Sequence, residues 1–139
     1  MGNRRVRSLA ALALIGLVAL ALPLAARADD GEDDNEADVR VEQSCPGGST
    51  IRLRVRTRDG DELRIDLDVR TPRRGSPWSI VVIHERRIAT RLRMRTGSSS
   101  GSFSLRRTVP DWPGRDTVTV RAIGPRGEVC RASATIRET

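Results

Sequence analysis

The sequence predicts an all-β domain, an antiparallel β-sandwich of seven to eight strands. Three observations carry that reading. From Val39 onward apolar and polar residues alternate with a period of two, the signature of half-buried strands. No stretch of useful length has the apolar spacing of an amphipathic helix. Turn signals rich in glycine, proline and aspartate recur at short intervals, as many short strands in two layers require.

Val39–Ser44 is a possible first strand. Ile51, Leu53 and Val55 then alternate with Arg52, Arg54, Arg56 and Arg58, and Leu63, Ile65, Leu67 and Val69 alternate with Arg64, Asp66, Asp68 and Arg70. Asp59-Gly60-Asp61 between them signals a hairpin. Both apolar sets are odd-numbered, and directly opposed residues share a face, so paired positions must sum to an even number. A three-residue loop meets that condition. A loop at Arg58-Asp59-Gly60, with Gly60 left-handed, sets Arg52 opposite Asp66, Arg54 opposite Arg64 and Arg56 opposite Glu62.

After the loop Arg73-Arg74-Gly75-Ser76-Pro77, the residues Trp78, Ile80 and Val82 define an inward face, while Val81 and Ile83 point the other way. A strand apolar on both sides belongs in the middle of a sheet. His84–Arg87 turns the chain. Ile88, Thr90, Leu92 and Met94 then alternate with Arg91, Arg93 and Arg95. Gly97–Gly101 is a serine-glycine loop, and Phe103 and Leu105 open a strand ending near Val109. Pro110–Gly114 makes a corner. Val118, Val120 and Ala122 form the next inward set, and Gly124-Pro125-Arg126-Gly127 turns into a last strand carrying Cys130, Ala132, Ala134 and Ile136.

Pro113-Gly114-Arg115-Asp116-Thr117-Val118-Thr119-Val120-Arg121-Ala122, followed by Gly127, resembles the penultimate strand and final turn of bacterial immunoglobulin-like and fibronectin type III-like domains. Trp78 opening a strand after a short hairpin suits the same plan. The resemblance covers the last third of the chain well and the middle by strand count. It departs at the corner, where Asp116 or Thr117 replaces the aromatic common in fibronectin type III domains. It implies a fold and no particular activity, because such sandwiches host unrelated functions.

Residues 1–28 read as a secretory signal: three arginines within Met1–Arg7, an apolar run Leu9–Leu22, then Pro23 and Ala26-Arg27-Ala28. Export with cleavage after Ala28 is the expectation; the alternative is an uncleaved N-terminal membrane anchor. In an oxidising compartment Cys45 and Cys130 are expected to pair as a disulfide. Asp29–Asp38 holds seven acids and no base, an expected disordered linker. It is either a solubilising spacer or an intramolecular mask. The remainder, residues 39–139, carries 21 arginines against 11 acids, and the chain has no lysine.

Little in the sequence supports catalysis. The single histidine, His84, stands beside Glu85 at a strand end and reads as a turn residue, with no nucleophile elbow elsewhere. No clustered ligands suggest a metal, and no phosphate loop or cofactor motif is present. Trp78, Phe103 and Trp112 are the only large aromatic side chains, too few for a stacking platform. Trp78 and Phe103 belong to the core, leaving Trp112 as a candidate contact residue or a cap on the core. Arginine remains. Arg91, Arg93 and Arg95, with Arg86 and Arg87 nearby, form a candidate anion-binding stripe, since the stripe at Arg52–Arg58 faces acids that neutralise it. The competing reading places both stripes, Arg52–Arg58 and Arg91–Arg95, on edge strands, where charge protects against edge-to-edge aggregation. The expected function is that of an extracytoplasmic, non-enzymatic binding or structural module. Its partner would be an extracellular protein, or, in the alternative, an anionic envelope polymer, lipid or nucleic acid held by arginine.

Overall fold

The computed structural model describes residues 37–59 and 61–137. Residues 1–28, most of the acidic segment and Gly60 lie outside the described residues, and with them the expected signal, the linker and the left-handed glycine. The described chain is built of strands: β1 (Asp38–Ser44), β2 (Thr50–Arg58), β3 (Glu62–Arg70), β4 (Pro77–His84), β5 (Arg87–Arg95), β6 (Ser102–Pro110), β7 (Arg115–Ile123) and β8 (Val129–Arg137). They form two antiparallel four-stranded sheets in the orders β1-β2-β3-β6 and β5-β4-β7-β8. The strand expected at Val39–Ser44 is β1, and β4 is central, as its two-sided apolar character requires.

The alternation delivers the core. Ile51, Leu53 and Val55 of β2 and Leu63, Ile65, Leu67 and Val69 of β3 pack against Trp78, Ile80 and Val82 of β4 and Val118, Val120 and Ala122 of β7, all buried. Trp78 lies 6.2 Å from Phe103, centroid to centroid, and its indole N–H donates to Ser76 Oγ at 3.3 Å, so the largest core side chain has no orphan donor. A Cβ on Gly124 would lie 2.7 Å from the Trp78 ring. Glycine is therefore required there for close approach of the β7–β8 turn.

The β2–β3 hairpin keeps the expected parity but shifts by one pair. Arg58 lies opposite Glu62, Arg54 opposite Asp66 and Arg52 opposite Asp68, and Arg56, not Arg54, faces Arg64. The three-residue connection is Asp59–Asp61, with Asp61 at φ 58°, so the loop lies one residue later than expected: β2 gains Arg58 and β3 gives up Asp61. A second departure lies in β4–β5. Val82 pairs with Thr90 but Ile83 pairs with Ile88, a bulge at Ala89 that reverses the side-chain parity. Ile88, expected on the inward face, is thereby placed beside Ile83 on the outside and is 49% exposed.

Cys45 and Cys130 form a disulfide, with Cα atoms 5.1 Å apart, that ties the entry to β2 to β8 across 85 residues of sequence. Among the described residues no helix is long and apolar enough to cross a membrane.

Candidate functional site

The two outer faces of the sandwich are both rich in arginine and differ in what those arginines meet. On the β1-β2-β3-β6 sheet, each interior arginine pair has a carboxylate. Arg54 grips Asp38 with two nitrogens, Nη2 at 2.5 Å, and Arg40 adds a bond of 2.9 Å. Those hydrogen bonds, Arg54's above all, outweigh the upward push of burial and hold the Asp38 carboxyl down to about 2. Arg52 reaches Glu42 at 2.5 Å. Asp66 sits among three guanidiniums: Arg56 at 3.0 Å, Arg64 at 3.0 Å and Arg106 at 2.9 Å. Partial burial pushes the Asp66 carboxyl up, and the three arginines together push it further down, below the usual aspartate range. Asp68 accepts from the Ser104 hydroxyl. Six arginines of this face thus meet a carboxylate of the same sheet.

The opposite face is built otherwise. Reading across β5, β4, β7 and β8, one row is Arg91, Val81, Arg121, Arg131, and the next is Arg93, Ser79, Ile123, Val129. The outward residues of the β7–β8 ribbon pair as Arg115 with Arg137, Thr117 with Thr135, Thr119 with Ser133 and Arg121 with Arg131. Arginine thus closes both ends of a hydroxyl ladder. No acidic residue occupies an outward strand position on this face. Among the described residues, no ion pair involves Arg91, Arg93, Arg121 or Arg131. Glu85, at the β4–β5 turn, lines a depression with Arg131 and is bound to the backbone: it accepts from the Thr117 N–H, while its own N–H donates to Thr117 O at 3.1 Å.

The sequence-predicted residues are only partly united. Arg91 and Arg93 lie exposed on this face, opposite Val81 and Ser79. Arg95 stands opposite Pro77 and donates to Gly75 O at 2.6 Å, which turns it toward the Arg73–Ser76 loop. Arg86 occupies the two-residue β4–β5 turn, where Glu85 and Arg86 adopt φ of 47° and 66°. It lines a shallow depression with Ile83, Glu85, Thr117, Thr119 and Arg131. Arg87 goes elsewhere: its guanidinium lies 5.8 Å from the Trp112 ring centroid, a cation–π contact at the end of the sandwich.

That end holds what the sequence reading missed. His84 is not an exposed turn histidine. It is 3% exposed, and its Nε2 is hydrogen bonded to Asp116 Oδ1, itself 1% exposed. Trp112 stacks on the imidazole with centroids 4.5 Å apart, and its backbone N–H donates to Asp116 Oδ2 at 3.2 Å. Trp112 therefore caps the core, with 37% of its surface left exposed. Parity could have found this pair. His84 continues the inward series Trp78, Ile80, Val82, and Asp116 continues Val118, Val120, Ala122. The same device could have found Arg121 and Arg131, whose outward positions follow once the Gly124–Gly127 turn fixes their strands as neighbours.

Edge protection accounts for some of this charge and not all of it. β5 and β8 are edge strands, but Arg121 is on the interior strand β7. The Arg52–Arg58 stripe, expected on an edge, is also on an interior strand, β2. Compared with known proteins, the chain matches no family model, no curated protein and no solved structure.

Proposed function

We propose that the chain is an exported, non-catalytic β-sandwich module that binds a polyanion through the outer face of the β5-β4-β7-β8 sheet. The carrying observation is the asymmetry between faces: carboxylates answer the interior arginines of one sheet, while Arg91, Arg93, Arg121 and Arg131 stand together on the other without one. Guanidinium groups in such an array recognise phosphate, sulfate or carboxylate by paired, charge-assisted hydrogen bonds. Export is supported by the basic-then-apolar N-terminus with its Ala-Arg-Ala site and by the Cys45–Cys130 disulfide.

The fold is read as immunoglobulin-like or fibronectin type III-like. The strand order supports this: β3 beside β6 and β4 beside β7, with β8 next to β7, repeats the B–E and C–F–G neighbours of that Greek key. β2 then stands for strand A, β5 is an added strand beside C, and β1 is an extra strand outside A. The disulfide joins other positions than the B–F bridge of antibody domains, so the likeness is one of topology.

The test is retention on a sulfated matrix under a salt gradient, because binding through anionic groups weakens steeply as salt rises. Arg91→Gln/Arg93→Gln should elute at clearly lower salt than Arg58→Gln/Arg70→Gln, which removes the same charge from the other face. Equal elution of the two, or no retention of the parent protein, would overturn the proposal.

A further inference from the structure

Resting on that reading, we infer that the β7–β8 ribbon carries a defined oxyanion subsite, Arg121 with Arg131, and that its ligand is an anionic polysaccharide. The protein itself contains the precedent. Arg56 and Arg64 are directly opposed across β2–β3, as Arg121 and Arg131 are across β7–β8. Like charges so placed repel. In the first pair the repulsion is resolved by Asp66, whose carboxylate is 3.0 Å from each guanidinium. In the second, neither β4 nor any outward position on β7 or β8 supplies a carboxylate: the flanking residues are Val81, Thr119, Ser133, Ile123 and Val129. The pair is open to an anion from outside, and a sulfate, phosphate or uronate group has the charge and geometry to take the place Asp66 takes.

The neighbouring groups select a sugar polymer over a nucleic acid. Thr119 Oγ1 and Ser133 Oγ lie 2.9 Å apart, and Thr117 Oγ1 and Thr135 Oγ1 lie 3.1 Å apart. One hydroxyl of each couple donates to the other, which leaves each couple one O–H free to donate outward. Thr117 and Thr119 line the depression between Arg86 and Arg131, together with the apolar Ile83 and the backbone-bound Glu85. Sugar hydroxyls and ring C–H groups suit such a lining. The aromatic rings on which bases would stack are elsewhere: Trp78 and Phe103 are in the core and Trp112 is on the end cap. The second arginine couple, Arg115 with Arg137, lies six residues along the ribbon, about 20 Å away at the rise of an extended strand. That separation asks for a polymer several residues long.

The experiment is calorimetric titration of the purified protein with heparin oligosaccharides, with single-stranded polyadenylate as the competing polyanion. Arg121→Gln/Arg131→Gln should weaken heparin binding by about tenfold, whereas Arg93→Gln/Arg95→Gln, an equal charge loss on the same face, weakens it only about two- to threefold. Thr119→Val/Ser133→Ala, which alters no charge, should weaken heparin binding and leave polyadenylate binding unchanged. Equal losses from the two arginine doubles would mean diffuse attraction and overturn the subsite while leaving the polyanion-binding reading intact. Tighter binding of polyadenylate than of heparin would overturn the choice of polysaccharide. Absence of binding to either polymer at low salt would overturn both.

Discussion

His84 and Asp116 meet 32 positions apart in sequence, joined by a hydrogen bond inside the closed end of the sandwich and covered by the Trp112 ring. Both side chains point inward at positions where each strand's apolar series would place another hydrophobe. Removing one member of a buried polar pair leaves the other without its partner, a loss of about 3 kcal/mol or more. Asp116→Ala and His84→Ala should each lower the urea midpoint substantially. Asp116→Ala should also release the Trp112 backbone and alter its near-ultraviolet circular dichroism. A change of midpoint no larger than that of a surface substitution would show that the clasp contributes nothing.

The Cys45–Cys130 bond closes a loop of 85 residues. On the chain-entropy account such a closure stabilises by about 4–5 kcal/mol. Reduction, or Cys45→Ala/Cys130→Ala, should lower Tm by many degrees under otherwise identical conditions. Coincident melting curves with and without reductant would contradict this.

Acid should weaken the fold through Asp38 and Asp66. Both carboxyls lie below the ordinary value of 3.8 in the folded protein, Asp38 at about 2. A depressed folded value means stability that is present above the unfolded pKa and lost as pH falls through the folded one. For Asp38 that window runs from about 4 down to about 2. Asp66→Asn should flatten the acid limb of a stability–pH profile and leave the Arg56–Arg64 pair unneutralised. An acid limb parallel to that of the parent would refute the role given to Asp66.

Gly124→Ala places a methyl 2.7 Å from the Trp78 ring. Overpacking of this kind costs about 1–3 kcal/mol, so Tm should fall. Gly127→Ala has open space around its Cβ, and any loss there comes from its φ of 73° alone. If Gly124→Ala proved the milder of the two, the close approach to Trp78 would not be the constraint.

Alternation made most of the fold legible, because the inward series of β2, β3, β4, β7 and β8 are unbroken and parity survives a shift of a whole pair. It failed where a single residue is added. The bulge at Ala89 reverses the face of Ile88, and no residue type at that point announces it. The β2–β3 register slipped for a related reason: both candidate loops give an even sum, and only the turn geometry at Asp61 distinguishes them. The arginine face was half visible. Arg91 and Arg93 can be read from one strand, but the opposition of Arg121 to Arg131 depends on pairing between strands, which charge alone does not encode. His84 was misread because a polar residue at a strand end was assigned to the turn when its parity belonged to the core.

The central claim is that one face of this sandwich is left cationic for a ligand. The most direct measurement is the map of backbone amide shifts in a ¹⁵N-labelled sample titrated with heparin oligosaccharides. Perturbations should concentrate on outward residues of β4, β5, β7 and β8 around Arg91, Arg121 and Arg131. Perturbations centred on the Asp66 cluster of the other sheet, or on the Trp112 end, would contradict it.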